Sequence, residues 1–114
     1  MQVQFNSDSS VMGTENVAER IETAVREKLA RFADRLTRVE IHVRDENGPK
    51  RGGDDKACTI EARPRGGKPI GVTEHAGKVD DAARKAANTL AQRLTRVLGK
   101  AERNSHSPRP DKVM

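Results

Sequence analysis

The sequence predicts a two-layer α+β fold, ordered β-α-β-β-β-α, with a four-stranded mixed sheet and both helices on one face. Three observations predict it. Segments 2–5, 39–44, 56–63 and 69–75 alternate in the manner of half-buried strands. Two longer segments repeat apolar residues at steps of three and four, the period of a helix with one oily side. Each element therefore has one face to hide, and a single sheet covered by two helices hides them all.

Residues 2–5 (QVQF) form the first strand, and residues 6–10 are a polar break. In the first helix Val17, Ile21, Val25, Leu29 and Phe32 recur at steps of four, four, four and three, and Leu36 extends the series. Asn16 with Glu19 three residues later has the form of a capping box, and Thr14 is an equally good start. Glu19 and Glu22 near the helix start, with Arg31 and Arg35 near its end, suit the macrodipole. Val39, Ile41 and Val43 alternate with Glu40, His42 and Arg44, giving a second strand with one wet face. The connection DENGPKRGGDD, residues 45–55, holds no regular element. In the third strand Cys58, Ile60 and Ala62 face one way. A Gly-rich turn at 64–68 leads to a fourth strand with Ile70 and Val72 inward.

The second helix has an inner face of Val79, Ala82, Ala83, Ala86, Ala87, Leu90, Leu94 and either Val97 or Leu98. Its alanines let it lie close to whatever it covers. Gly99 can stop it, while continuing through the glycine costs about 1 kcal/mol. The domain is expected over 1–103, followed by a disordered polar tail at 104–114. A strand–helix–strand start predicts a right-handed crossover between parallel strands, with the remaining strands antiparallel.

With 114 residues there is room for one domain. Phe5 and Phe32 are the only aromatics, so the core is built from Val, Ile, Leu and Ala. The lone Cys58 excludes an internal disulfide, and it sits on the inward face of a strand, where a thiol is a small hydrophobe rather than a nucleophile. His42, His75 and His106 share no metal-ligand spacing, and the acidic Asp80–Asp81 pair suits a helix start. No enzyme activity, cofactor, metal or small-molecule substrate is expected. The Gly-rich stretches 48–53 and 63–71 lack the order of a phosphate-binding loop. No apolar run approaches the ~20 residues of a membrane span, and the N-terminus has no secretory pattern, so a cytoplasmic protein without a membrane partner is expected.

The charge distribution is uneven. The first 75 residues carry 13 basic and 13 acidic residues, whereas the last 39 carry 9 and 4 and supply the whole net +5. Arg93, Arg96, Lys100 and Arg103 follow a 3-4-3 spacing on one side of the second helix, and Arg84 and Lys85 extend the field toward its start. The first helix repeats the spacing with Lys28, Arg31, Arg35 and Arg38, the last at or beyond its end. Two such helices side by side present one corrugated basic face, suited to the phosphates and 2′-hydroxyls of structured RNA. The wet sheet face offers no aromatic ring, which argues against base stacking there.

This chain resembles the ribosome hibernation promoting factor / ribosome-associated inhibitor family, also called sigma-54 modulation proteins. The resemblance covers roughly residues 1–103 and rests on several segments: MQVQF, the Val17–Leu29 stripe, Arg38-Val39-Glu40-Ile41-His42-Val43, Ile70-Gly71-Val72-Thr73-Glu74, Asp81-Ala82-Ala83 and Leu90-Ala91-Gln92-Arg93-Leu94-Thr95-Arg96. It implies a fold like a double-stranded-RNA-binding domain with an added first strand. It also implies a partner, the 16S rRNA of the small ribosomal subunit, met in the messenger and transfer RNA channel where the protein blocks translation. Carried over, Lys28, Arg31, Arg93, Arg96 and Lys100 would touch phosphates, with Arg35, Arg84, Lys85 and Arg103 completing the basic face. Two other readings stay open: a protein-interaction module that does not bind ribosomes, and a generic duplex-RNA binder.

Overall fold

In the computed structural model the described residues are 1–7, 16–46 and 55–105, with residues 100–105 described as backbone only. The strands are β1 (Gln2–Ser7), β2 (Leu36–Asp45), β3 (Lys56–Pro64) and β4 (Ile70–Ala76). The helices are α1 (Val17–Lys28), a 3-10 helix (Ala30–Arg35) and α2 (Val79–Ser105). The sheet order is β1-β2-β3-β4, with β1 parallel to β2 and the other pairs antiparallel. This is the predicted α+β arrangement. Val39, Ile41, Val43, Cys58, Ile60, Ala62 and Val72 share one core with Val17, Ile21 and Val25 of α1 and Ala82, Ala86, Leu90 and Leu94 of α2. Both helices therefore cover the same face of the sheet.

Local differences from the expected elements have physical causes. β1 takes in Asn6 and Ser7, expected as a break, because the parallel ladder continues to His42 and Val43. α1 starts after Asn16, but the expected capping box does not form. Asn16 is in the left-handed region (φ 70°) and makes no side-chain cap bond, while its carbonyl accepts the Arg20 N–H at 2.8 Å. A capping side chain needs the extended backbone that Asn16 has left. Thr14, the other candidate start, lies outside the described residues.

The apolar stripe of the first helix is buried throughout, although it does not stay α-helical. α1 ends at Lys28, and Phe32 donates its N–H to Leu29 O at 2.9 Å, a 3-10 bond. The one step of three in the stripe, Leu29 to Phe32, matches that tighter repeat. Leu36, expected as one more helical step, opens β2 and is fully buried there. Arg38 is consequently a strand residue.

The β3–β4 turn is made by Gly66 at φ +69°, a conformation that glycine adopts without penalty, and by the Gly67 N–H donating to Pro64 O at 3.2 Å. α2 continues through Gly99, where an added Cβ would meet nothing within 4 Å. Its backbone is helical to Ser105, two residues past the expected domain end, and residues 106–114 lie outside the described residues. Leu98 is the buried residue of its last inner step, whereas Val97 is 44% exposed. Of the 45–55 connection, Asp45 belongs to β2, the Glu46 N–H donates to Asp55 O at 2.6 Å, and residues 47–54 lie outside the described residues. Cys58 is fully buried, and burial pushes its thiol up to about 12, so it stays protonated near neutrality.

Candidate nucleic-acid interface

α1 and α2 lie beside each other and run the same way. Near their starts, Arg20 of α1 pairs with Asp80 of α2 at 3.0 Å. Eleven residues further along the first chain segment, Arg31 donates to the Thr95 hydroxyl of α2. Between these two ties runs a groove of about 1080 Å³. Ala24, Ala87 and Ala91 line it with methyl groups, and because Ala87 and Ala91 are nearly buried they act as its floor. Glu27, Lys28 and Arg31 line it from the first side, and Arg84, Asn88, Gln92, Thr95 and Arg96 from α2.

The expected basic residues divide among four places. Lys28, Arg31, Arg84 and Arg96 line the groove. Lys28 and Arg96 are exposed and have no acidic partner among the described residues. Arg31 lies over the Phe32 ring, 4.7 Å from its centroid, and Arg84 is paired with Asp81 one turn back. Lys85 and Arg93 run down the opposite flank of α2. Lys85 donates to His75 O at 2.8 Å and Arg93 to Gly71 O at 3.1 Å. Arg35 sits half-buried in the 3-10 helix, where its carbonyl accepts the Arg65 N–H at 2.9 Å. Lys100 and Arg103 lie on the α2 backbone, but their side chains are outside the described residues.

The helical wheel explains the division. Residues 84, 88, 92 and 96 recur every four along the α1 flank of α2, and residues 85, 89 and 93 do so along the β4 flank. Thr89 in the second row also reaches β4, donating to Glu74 Oε2 at 2.9 Å. The charge spacing does not single out Asn88 and Gln92 as site residues. Their signal is the four-residue step from Arg84 to Arg96.

Lys85 and Arg93 have a second consequence. β4 is an edge strand, and two long cations occupy carbonyls that another strand would otherwise use. Replacing both in Lys85→Ala/Arg93→Ala should promote self-association. Light scattering is expected to show a rise in apparent mass with concentration that exceeds that of the parent chain.

The other face of the sheet is electrostatically quiet. Arg38 pairs with Glu40 at 3.0 Å, Arg44 with Glu46 at 2.8 Å and Arg63 with Glu61 at 3.3 Å. Arg38, counted in sequence with the first helix, is thus on the wrong face for the groove. Thr59 and Thr73 hydrogen-bond across the strands at 2.7 Å, and neither Phe lies on this face. At the groove, by contrast, Lys28 and Arg96 have no acidic partner among the described residues, and Glu27 is the one carboxylate in the lining. Among the described residues there is no cluster of three metal-binding side chains and no helix long and apolar enough to cross a membrane.

No curated protein matches the sequence. Among solved structures, the Thermus thermophilus Protein Y N-terminal domain superposes with a TM-score of 0.66 at 15% identity, covering 85% of this chain and 99% of that domain. A ribosomal subunit interface protein from Coxiella burnetii superposes with a TM-score of 0.64 at 14% identity, covering 87% and 99%. At those identities the likeness establishes a shared fold. The family model of the Sigma 54 modulation protein / S30EA ribosomal protein matches residues 9–102, most of the sequence. The chain that builds this two-helix groove over a four-stranded sheet belongs to that family.

Proposed function

We propose that this protein is a cytoplasmic, ribosome-associated translation inhibitor that binds 16S rRNA of the small subunit in the messenger and transfer RNA channel. The observation that carries the reading is the asymmetry of charge: Lys28 and Arg96, on opposite walls of the groove, have no acidic partner among the described residues, while the arginines of the open sheet face are matched by carboxylates. Family membership and the solved folds of Protein Y and the subunit interface protein support a ribosomal partner. Nothing in the reading requires chemistry. A rigid α+β body laid into an RNA channel excludes other occupants by volume, and its affinity comes from phosphate contacts.

Cosedimentation of the purified chain with 30S subunits tests this directly. Binding is expected at low salt, and the logarithm of its constant should fall against the logarithm of salt with a slope of roughly −3 to −4, as about four neutralised phosphates require. Absence of binding at low salt overturns the proposal. Equal affinity for generic duplex RNA and for intact subunits would reassign the protein as a free duplex binder.

A further inference from the structure

We propose that the groove between α1 and α2 receives one unpaired nucleotide of RNA and selects bases that carry an exocyclic amino group. The inference rests on the RNA-binding reading above and adds what the site reads.

The groove has the wrong shape for phosphates alone. Its floor of Ala87 and Ala91 offers only methyl groups, and its volume of about 1080 Å³ is slightly above the roughly 300–1,000 Å³ of small-molecule sites. A duplex keeps its bases stacked and can meet only the rim, whereas an extruded nucleotide brings a flat apolar face to the floor. The ties of Arg20 to Asp80 and Arg31 to Thr95 bridge the two helices at either end of the space. Arg31 is also held over the Phe32 ring, and guanidinium planes are common platforms for splayed-out bases.

The walls hold groups that read base edges. Asn88 and Gln92 are exposed, one turn apart on α2, and have no hydrogen-bond partner among the described residues. Each carboxamide supplies both a donor and an acceptor. Glu27 stands on the facing wall, also without a partner among the described residues. A carboxylate weakens a site meant only for phosphate. It is useful where an amino group must be accepted, as at cytosine N4 or adenine N6. Lys28 and Arg96 then hold the phosphates on either side of the inserted base. Uracil, with no amino group, leaves the Glu27 carboxylate facing a carbonyl.

Fluorescence anisotropy of labelled eight-nucleotide oligo(A), oligo(C) and oligo(U) with the full chain tests the idea. Oligo(A) and oligo(C) are expected to bind about ten-fold more tightly than oligo(U), within the range of one good base-edge contact. Asn88→Ala/Gln92→Ala should bring both down to the oligo(U) level, and Glu27→Ala should narrow the ratio. All three positions are on the surface, and circular dichroism checks that the variants fold. Equal affinities for the three oligonucleotides overturn the proposal, as does a ratio unchanged in Asn88→Ala/Gln92→Ala. Equally tight binding of a polyglutamate peptide overturns it too. If the ribosome reading alone is wrong, cosedimentation with 30S subunits fails while the ten-fold oligonucleotide ratio remains.

Discussion

Charge reversal at Lys28→Glu together with Arg96→Glu should lower affinity for the small subunit by about a hundred-fold, equivalent to about 2.7 kcal/mol. The two residues stand on opposite walls of the groove, one from each helix. Each substitution removes a phosphate contact and puts a carboxylate in its place. A pair of unit charges at 4 Å is worth about 1 kcal/mol in water and about 4 kcal/mol near a protein surface, so two reversals readily reach that loss. The fold should be indifferent, because both side chains are exposed and neither has an acidic partner among the described residues. Sedimentation with 30S subunits measures the loss, and an unchanged melting curve shows that the fold is intact. Arg93→Glu alone should have a smaller effect than Arg96→Glu, since the Arg93 guanidinium is held at Gly71 O on the far flank of α2. Equal losses at the two positions would mean that the β4 flank belongs to the RNA surface as well.

That contrast between neighbouring arginines marks where sequence reading stops. The order of elements, the inward strand residues and the inner face of α2 were legible because period and polarity are properties of a single segment. The buried stripe from Val17 to Leu36 was legible for the same reason, but its division into α-helix, 3-10 helix and strand was not. The steps of four belong to an α-helix, but one step of three fits an α-helix and a 3-10 helix alike, and a single last residue such as Leu36 carries no period of its own. The Asn16 cap failed because asparagine suits both an extended N-cap and the left-handed region, and only the fold decides between them. The basic ridge is a different case. Rows 84/88/92/96 and 85/89/93 are both visible in the sequence, yet which row meets α1 and which meets β4 depends on the sheet order. That order is a relation between distant segments, and local spacing does not carry it. The place of Asn88 and Gln92 in the site was not legible, because uncharged polar residues on a helix exterior stand out only once a groove lies beside them.

Leu90→Ala is expected to remove about 3–4 kcal/mol of stability. Leu90 is fully buried on α2 within the core shared with β2, β3 and α1. Truncation loses its transfer free energy and leaves a cavity, and the surroundings are poorly placed to close it. Toward the helix start its inner-face neighbours on α2 are Ala82, Ala83, Ala86 and Ala87, too short to fill the space, and only Leu94, one turn on, has a longer side chain close by. A domain of this size holds roughly 5–15 kcal/mol in total, and its aromatic-poor core places it low in that range. The change therefore removes a large share of the stability and should lower Tm by about 12–25 °C. Val97→Ala, on the same helix but at a 44% exposed position, should stay within about 0.5 kcal/mol. Urea denaturation of the two variants makes the comparison, and a loss below about 1 kcal/mol for Leu90→Ala would contradict the packing of α2 described here. The binding phenotype separates this effect from electrostatics. Because α2 forms one wall of the groove, Leu90→Ala should weaken RNA binding only in proportion to the folded fraction, leaving the salt slope of the folded protein unchanged. The Lys28→Glu/Arg96→Glu variant should do the reverse, keeping its melting curve and flattening its slope by about two phosphate contacts.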